Sequence, residues 1–246
     1  MTPLKQPRTA LITGGSSGLG LALARALDAS DWIVVTDARD ETRLRIALAG
    51  TTVHGIAGDV TEADHRAALV ETVTELVGLD LLVLGSSTLG PLPMRPLSQY
   101  EPEEIGTVFR ANAGAPGSLM IALTDQLNRR DGVVVGISSD AAVQHYETWG
   151  GYGASKAALD HLVLTFAAET GLTTYAVDPG DMRTPMHQDA FPDEYISDRP
   201  LPETVVPHLL ALLDRRPPSG RYVAAEVPLT GPLTGPLTGP LTEASA

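Results

Sequence analysis

Short apolar stretches rich in β-branched residues alternate with segments of helical periodicity along most of the chain. Leu81–Leu84 and Val133–Val135 are apolar at consecutive positions, which is typical of strands that helices cover on both faces. The alternation predicts βαβ units, and therefore an α/β fold with a doubly wound, mostly parallel sheet. The predicted strands are Ala10–Thr13, Ile33–Thr36, Val53–Ala57, Leu81–Leu84, Val133–Ile137, Tyr175–Val177 and Tyr222–Ala224, and the predicted helices are Leu19–Leu27, Ala63–Leu76, Glu103–Leu127 and Ala154–Ala168.

The alternation continues without a break to about residue 225, and a repeat follows it. We expect residues 1–225 to form one domain. From Pro228 to Thr242 the sequence repeats Pro-Leu-Thr-Gly. Proline at every fourth position removes helical hydrogen bonds, and Gly-Pro pairs favour turns or extended chain. We therefore predict a disordered tail over residues 226–246, with a binding segment as the alternative.

Charge and composition exclude several classes of function. The 246 residues contain 17 Lys and Arg against 30 Asp and Glu, so the formal net charge is −13. Such a surface repels phosphate backbones, so we expect no nucleic-acid partner. Because no apolar run reaches the roughly 18 residues that cross a bilayer, we expect no membrane partner. The absence of cysteine excludes disulfides and thiolate metal sites, and the first residues lack a secretory signal, so we expect a cytoplasmic protein without a metal site.

A glycine-rich turn, Thr13-Gly14-Gly15-Ser16-Ser17-Gly18-Leu19-Gly20, joins the first predicted strand to the first predicted helix. Glycines let the backbone approach a pyrophosphate, whose charge then meets the helix N-terminus. The spacing Gly-x-x-x-Gly-x-Gly differs from the common dinucleotide pattern, and a purely structural turn is the alternative. The residues predicted to hold a dinucleotide phosphate are Gly14, Ser16, Ser17, Gly18, Leu19 and Gly20.

Asp37 ends the second predicted strand, 23 residues after Gly14. An acidic side chain at about this offset accepts hydrogen bonds from the adenosine ribose and repels a 2′-phosphate, which favours NAD. Arg39 favours NADP instead, because its guanidinium would neutralise a 2′-phosphate. We predict NAD, with NADP as the alternative. After the third strand, Asp59 and Val60 offer a carboxylate and an amide to the adenine edge, although Asp59 would equally cap the following helix.

Tyr152 and Lys156 lie four residues apart in a predicted helix, so their side chains share one face. An ammonium beside a phenol stabilises the phenolate and lowers the phenol pKa from about 10, which suits Tyr152 to proton transfer. Ser139 lies 13 residues before Tyr152, just beyond a strand end, where open α/β sheets bind ligands. Ser138 competes for the same role, and we expect it instead to pack at the strand end.

The chain resembles the short-chain dehydrogenase/reductase family from residue 8 to about residue 225. The resemblance rests on the order and spacing of Thr13–Gly20, Asp59-Val60, Asn112, Ser139, Tyr152, Lys156 and Pro179-Gly180 with Thr184. It implies a single Rossmann-type domain with a sheet of about seven strands. It also implies NAD(P)-dependent hydride transfer between nicotinamide C4 and the carbonyl or secondary alcohol of a small molecule.

The same resemblance implies a role for each matching residue. Tyr152 is the general acid and base, Ser139 orients the substrate oxygen, and Lys156 binds the nicotinamide ribose and lowers the pKa of Tyr152. Asn112 holds a water between Lys156 and solvent; the alternative is a residue that kinks its helix. The segment that lines the nicotinamide contains Pro179, Gly180 and Thr184. An epimerase or dehydratase, or a cofactor-binding regulator, is the alternative function for this fold.

Two departures from the family pattern fall near the predicted site. Leu84-Gly85-Ser86-Ser87 stands where the family carries Asn-Asn-Ala-Gly, and we expect this change to affect local rigidity more than chemistry. Asp140 directly follows Ser139. Its carboxylate either raises the pKa of Tyr152, meets a cationic or hydroxylated substrate, or points to solvent.

The resemblance also bears on assembly and substrate. Relatives pair the helices that correspond to Glu103–Leu127 and Ala154–Ala168, and both segments carry more apolar surface than one sheet contact consumes. We therefore expect a homodimer or homotetramer. Asp181–Pro200 corresponds to the family's substrate lid, and its methionines and aromatic residues favour an apolar or ring-bearing substrate.

Overall fold

The computed structural model describes residues 7–76, 78–233 and 235–236. They form a seven-stranded parallel sheet of strand order β3-β2-β1-β4-β5-β6-β7. The strands are β1 Thr9–Ile12, β2 Ile33–Ala38, β3 His54–Ala57, β4 Leu81–Leu84, β5 Val133–Ile137, β6 Thr173–Asp178 and β7 Gly220–Val223. Because β1 pairs with β2 on one side and β4 on the other, the winding direction reverses there, and a ligand cleft is expected at the carboxyl ends of these strands.

Helices cover both faces of the sheet. They are α1 Gly18–Asp28, α2 Glu41–Ala47, α3 Ala63–Glu75, α4 Pro102–Phe109, α5 Ala115–Ala122, α6 Thr124–Arg130, α7 Gly150–Thr170, α8 Pro185–Ala190 and α9 Pro202–Arg215. Adjacent residues of β1 feed opposite cores: Ile12 packs with α1 and α9, whereas Leu11 packs with α3, α5 and α7. This two-sided burial explains the consecutive apolar positions, and the predicted fold class is confirmed.

The predicted helix Glu103–Leu127 is corrected to several pieces. A π-helical turn, Arg110–Gly114, separates α4 from α5, and its geometry is marked by the Ala115 N–H bonding to the Arg110 carbonyl. Pro116 has no N–H, so it cannot make the helical bond to the carbonyl of Asn112, four residues earlier. The helix therefore widens at Asn112. The expectation of a kink residue at Asn112 agrees with this local geometry.

Part of the C-terminal repeat lies within the described residues. Leu233 packs against the core cluster formed with α1 and α9, and Pro236 lies against Gly220 of the edge strand β7. Just before the repeat, the Val227 carbonyl contacts Nδ1 of His208 at 2.7 Å. The domain boundary at residue 225 and a disordered tail stay predictions, and residues 234 and 237–246 lie outside the described residues.

Within the described part of the chain, none of the helices is both long and apolar enough to cross a bilayer.

Candidate active site

A single cleft of about 710 Å³ follows the carboxyl ends of the strands, from Asp37 at one end to Tyr152 at the other. It brings together predicted residues from six separate parts of the chain. Those that line it are Gly14, Ser16, Ser17, Gly18, Leu19, Gly20, Asp37, Asp59, Val60, Ser139, Tyr152, Lys156, Pro179, Gly180 and Thr184. Asn112 is the predicted residue that does not line the cleft.

The glycine-rich turn adopts a conformation that side chains would prevent. Gly14 and Gly18 have φ values of +83° and +56°, which favour glycine. A Cβ on Gly15 would collide with the Thr36 side chain, and one on Gly20 would lie 2.5 Å from the Gly14 carbonyl oxygen. The Ser17 side chain makes no capping hydrogen bond at the start of α1. The helix N-terminus is thus left to the cleft, an arrangement that fits the pyrophosphate of a dinucleotide.

Asp37 is held by the protein on both carboxylate oxygens. Its Oδ1 accepts from the Gly14 N–H at 2.7 Å, and its Oδ2 lies 3.0 Å from Nε2 of His65 on α3. The residue is only 1% exposed, and this burial raises the pKa of Asp37, although the Gly14 and His65 contacts offset part of the rise. Asp37 therefore locks the phosphate loop to α3. Sequence reasoning missed His65, because a lone histidine in a helix carries no signal of its partner.

Asp59 stabilises the turn that leads into α3. Its Oδ1 accepts from both the amide and the hydroxyl of Thr61 at 2.8 Å. Partial burial alone would raise the pKa of Asp59, but the Thr61 hydrogen bonds and the nearby Arg39 charge lower it overall. Arg39 and Arg43 line the same end of the cleft, and both are exposed. Two guanidinium groups therefore lie at the Asp37 end of the cleft, where the sequence predicts the adenosine.

Tyr152 and Lys156 meet at the opposite end of the cleft. The Lys156 ammonium lies 5.6 Å from the centre of the Tyr152 ring and donates to the Ile137 carbonyl at 2.7 Å. Burial lowers the pKa of Lys156 to about 8, and the Asp160 charge offsets part of that effect. Burial likewise raises the pKa of Tyr152 to about 12. The predicted lowering of the Tyr152 pKa by Lys156 is therefore not found, because desolvation of the phenol is the largest effect on that pKa.

Ser139 belongs to a small hydrogen-bonded chain at the mouth of the cleft. Its hydroxyl donates to Oδ1 of Asp140 at 3.0 Å, and the other oxygen of Asp140 accepts from the Tyr146 hydroxyl at 2.8 Å. The Ala141 N–H donates to Ser139 Oγ at 3.1 Å. The expectation that Asp140 raises the pKa of Tyr152 agrees with its charge effect there, although burial is the larger cause.

A buried charge network lies directly beneath Ser139, and sequence reasoning missed it. Arg221 of β7 is 5% exposed and donates to the Ser139 carbonyl at 2.9 Å. The same guanidinium binds Asp160 of α7 at 3.1 Å and Asp178 of β6 at 3.3 Å. Ser138 donates to Asp160 at 2.8 Å, as expected for a residue that packs at the strand end. Arg221 therefore ties the carboxyl ends of β5 and β6 to the middle of α7.

Asn112 joins α7 to the loop after β4. Its Oδ1 accepts from the Thr88 N–H and its Nδ2 donates to the Thr88 carbonyl, both at 2.8 Å. Nδ2 also donates to the Ser155 hydroxyl at 2.9 Å. The side chain is therefore committed to positioning this loop, and the water that Asn112 is expected to hold stays a prediction.

The predicted lid packs over Tyr152. Met186 and Ala190 of α8 contact the small cluster of Leu89, Ala141 and Tyr152. Trp149 lies between Tyr152 and the predicted lid. The centre of its ring is 5.5 Å from that of Tyr152 and 5.8 Å from that of Phe191. The substrate end of the cleft is therefore walled by thioether and aromatic surface, which limits access of water to the phenol.

Comparison with known proteins agrees with this geometry. The family model described as short chain dehydrogenase matches residues 8–195, which include the glycine-rich turn, Tyr152 and Lys156. The chain belongs to the short chain dehydrogenase family. The match places this chain among the oxidoreductases of that family.

Curated relatives of this dehydrogenase come from several kingdoms. Senescence-associated protein 13 of Arabidopsis thaliana is 33% identical over 196 residues, covering 76% of this chain and 72% of the relative. A short chain dehydrogenase of Pseudocercospora fijiensis is 32% identical over 207 residues, or 78% of this chain. The match spans 64% of that relative, so this chain covers less than two thirds of its length.

Solved structures share the fold over nearly the whole chain. A short chain dehydrogenase from Pseudomonas syringae has a TM-score of 0.81 and 32% sequence identity, with 88% of this chain and 93% of that chain covered. A short chain dehydrogenase from Shigella flexneri, solved as a complex with NADP, has a TM-score of 0.82 and 26% identity, with 90% of this chain and 100% of that chain covered.

Proposed function

We propose that this dehydrogenase transfers hydride between C4 of a bound nicotinamide and the carbonyl or secondary alcohol carbon of a small molecule. The observation that carries the proposal is the single cleft, which joins an uncapped helix N-terminus to Tyr152, Lys156 and Ser139. Lys156 is 1% exposed and lies beside the buried phenol of Tyr152. A regulator that only bound the cofactor would not need this buried pair for proton transfer. The completeness of this set favours an enzyme.

The residues divide the chemistry between them. When bound, the nicotinamide cofactor supplies the hydride in reduction and accepts it in oxidation. In reduction, the neutral Tyr152 phenol gives its proton to the substrate oxygen; in oxidation, the phenolate takes the proton of the alcohol. Lys156 binds the nicotinamide ribose and stabilises the phenolate, and Pro179, Gly180 and Thr184 line the nicotinamide. Ser139 hydrogen-bonds the substrate oxygen and orients it.

The adenosine end favours NADP over the NAD predicted from sequence. The sequence argument for NAD needs an Asp37 carboxylate that is open to the cleft, but the residue is only 1% exposed, and its two oxygens already contact Gly14 and His65. Arg39 and Arg43 instead offer two exposed cations to a 2′-phosphate. The structures from Shigella flexneri and Escherichia coli, which are complexes with NADP and NADPH, support the same choice by analogy.

Calorimetric titration of the purified protein with NADP⁺ and NAD⁺ tests the cofactor. We expect NADP⁺ to bind at least about tenfold tighter. Arg39→Ala should weaken NADP⁺ binding by about 10- to 150-fold and leave NAD⁺ binding nearly unchanged, since one hydrogen bond to a charged group contributes about 1.5–3 kcal/mol. Arg45→Ala is the matched control, because Arg45 lies on α2, the helix that follows Arg39, but does not line the cleft. Tighter binding of NAD⁺ would restore the sequence prediction and assign the ribose contact to Asp37.

Turnover is tested by following nicotinamide absorbance with a panel of ketones and secondary alcohols. Oxidation of NADPH by at least one ketone class, lost in Tyr152→Phe, supports the proposal. Bound cofactor with no turnover across the panel would favour a regulator. Exchange of substrate configuration without net cofactor oxidation would favour an epimerase.

A further inference from the structure

The charges in the buried network around Arg221 do not balance on their own. Arg221 supplies one positive charge, whereas Asp160 and Asp178 each supply a negative charge, and all three side chains are at most 11% exposed. Water therefore screens the cluster poorly, and an excess negative charge is unfavourable there. Lys156, which is 1% exposed, lies one helical turn before Asp160 on α7 and can supply the missing positive charge.

Asp160 has one carboxylate oxygen that makes no hydrogen bond within the described residues. The Ser138 hydroxyl at 2.8 Å and the Arg221 Nε at 3.1 Å both donate to Oδ2. The other oxygen, Oδ1, is closed to solvent and has no such partner. Burial is the largest effect on both pKa values, since it lowers the pKa of Lys156 and raises that of Asp160. Each charge offsets part of this effect on the other residue, so the two groups interact.

Lys156 is held in place by a neutral group and not by a carboxylate. Its ammonium donates to the Ile137 carbonyl at 2.7 Å and lies 5.6 Å from the centre of the Tyr152 ring. Across the part of the chain that the structure describes, no carboxylate forms a direct ion pair with it. A buried ammonium in this position depends on the electric field of a nearby negative charge to keep its proton.

The other ionisable side chains in this region are less suited to that role. Both oxygens of Asp178 are engaged, one by a backbone N–H at 3.0 Å and the other by Arg221 at 3.3 Å. Asp140, in the turn after β5, is exposed, so water and salt screen its charge. The Tyr152 phenol, with a pKa of about 12, carries no charge in the neutral range. None of these three groups therefore offers an unpaired, buried negative charge to the ammonium.

We propose that Asp160 is a positioning residue for the reaction, whose carboxylate acts across one turn of α7 as the buried counter-ion of the Lys156 ammonium. The inference rests on the proposed function, in which the charged Lys156 binds the nicotinamide ribose and stabilises the phenolate. Asp160 does not line the cleft, so it acts through Lys156. Because Arg221 also donates to the Ser139 carbonyl at 2.9 Å, the same cluster holds both the counter-ion and the end of β5.

Lysines labelled with ¹³C at Cε test the counter-ion without cofactor or substrate. The sequence has two lysines, Lys5 and Lys156, so Lys156→Arg assigns the second resonance. In the parent we expect Lys156 to titrate at about pH 8. Asp160→Asn keeps the shape of the side chain and removes its charge, and it should lower this midpoint by about one pH unit. Glu169→Gln is the matched control on the same helix, because Glu169 is exposed, and it should leave the midpoint unchanged.

The direction of the shift separates charge from packing. Loosened packing would hydrate the ammonium and raise its midpoint towards the ordinary value of about 10.5. A lower midpoint therefore identifies the loss of a negative charge. A midpoint in Asp160→Asn that equals or exceeds that of the parent would overturn the role of Asp160.

A second measurement uses the parent protein, so it does not depend on how Asp160→Asn folds. The interaction is reciprocal, so the ¹³Cγ resonance of Asp160 should move over the pH range in which Lys156 loses its proton. This step should be missing in Lys156→Arg, which stays charged. An Asp160 resonance that is constant throughout the Lys156 titration of the parent would overturn the proposal.

Turnover links the counter-ion to the reaction. With a ketone identified in the panel, the fall of kcat/KM at high pH should begin about one pH unit lower in Asp160→Asn than in the parent. An unchanged pH profile would overturn the positioning role. Parent turnover in Tyr152→Phe would instead overturn the proposed function, and the midpoints of the free protein would still decide whether Asp160 is the counter-ion of Lys156.

Discussion

Tyr152 is 7% exposed, and its proton is the one that the proposed reaction moves. Tyr152→Phe removes the hydroxyl but keeps the ring that packs against Trp149, 5.5 Å away. We expect turnover to fall by about 10²–10⁴-fold, the usual contribution of general acid–base catalysis. The affinity for NADP⁺, measured by calorimetry, should stay close to that of the parent. Turnover within a few fold of the parent would remove Tyr152 from the mechanism.

Lys156 sets the pH range of carbonyl reduction. The phenol, with a pKa of about 12, holds its proton throughout the neutral range, so proton supply does not limit reduction there. The pKa of Lys156 is about 8, so its charge is present below that pH and is lost as pH rises through it. We therefore expect the reduction rate of the free enzyme, measured as kcat/KM, to be level below pH 8 and to fall above it.

Lys156→Arg provides the check on this pH assignment. Arginine keeps its charge at every pH of the measurement. In this variant, whatever activity remains should show no fall in the range above pH 8. A decline identical to that of the parent would assign the titration to another group.

At the scale of the elements, one cation, Arg221, joins the carboxyl ends of β5 and β6 to the middle of α7. Arg221→Met would leave Asp160 and Asp178 buried without their partner, and breaking a buried pair in this way costs about 3–5 kcal/mol. Arg216→Met is the matched control, because its ion pair with Asp131 lies at the surface and contributes about 0–1 kcal/mol. Urea unfolding of both variants measures the difference, and equal midpoints would contradict the structural role of Arg221.

The same elements show how far sequence reasoning reaches. Strands β4 and β5 and helix α7 were predictable because their apolar patterns are local. The helix breaks at Asn112 because Pro116 has no N–H to donate to the Asn112 carbonyl. The sequence reveals this only when residues four positions apart are compared. Arg221 pairs with Asp160, 61 positions away, and Asp37 pairs with His65, 28 positions away. No periodic pattern encodes such distant partners. The sequence could therefore suggest that Asp37 binds the ribose, but it could not show that the Asp37 oxygens contact Gly14 and His65.

For the whole molecule, one apolar surface on α4 and α7 lacks a cover within the described residues. A shallow hollow there is lined by Phe109, Ala158 and Leu162, and Leu162 is 40% exposed. We expect this surface to form the dimer contact that the sequence predicts. Leu162→Glu would bury a charge at the contact and should convert the dimer to a species of about 26 kDa in light scattering. A parent protein that is already monomeric at micromolar concentration would contradict the expectation.

Two described residues of the C-terminal repeat contact the folded domain. Leu233 is half-buried against the core cluster of α1 and α9, and Pro236 lies against Gly220. Burying a leucine fully contributes about 1.5–3 kcal/mol, so half-burial contributes about 1 kcal/mol before the cost of ordering the chain. Truncation after Val227 should therefore lower the melting temperature by only about 2–4 °C relative to truncation after Pro236. Leu233→Ala in the full chain should account for most of that difference. Turnover should be unchanged in all three proteins, because the cleft follows the carboxyl ends of the strands and none of the described residues of the repeat lines it. A loss of turnover on truncation after Val227 would mean that the repeat supports the active site.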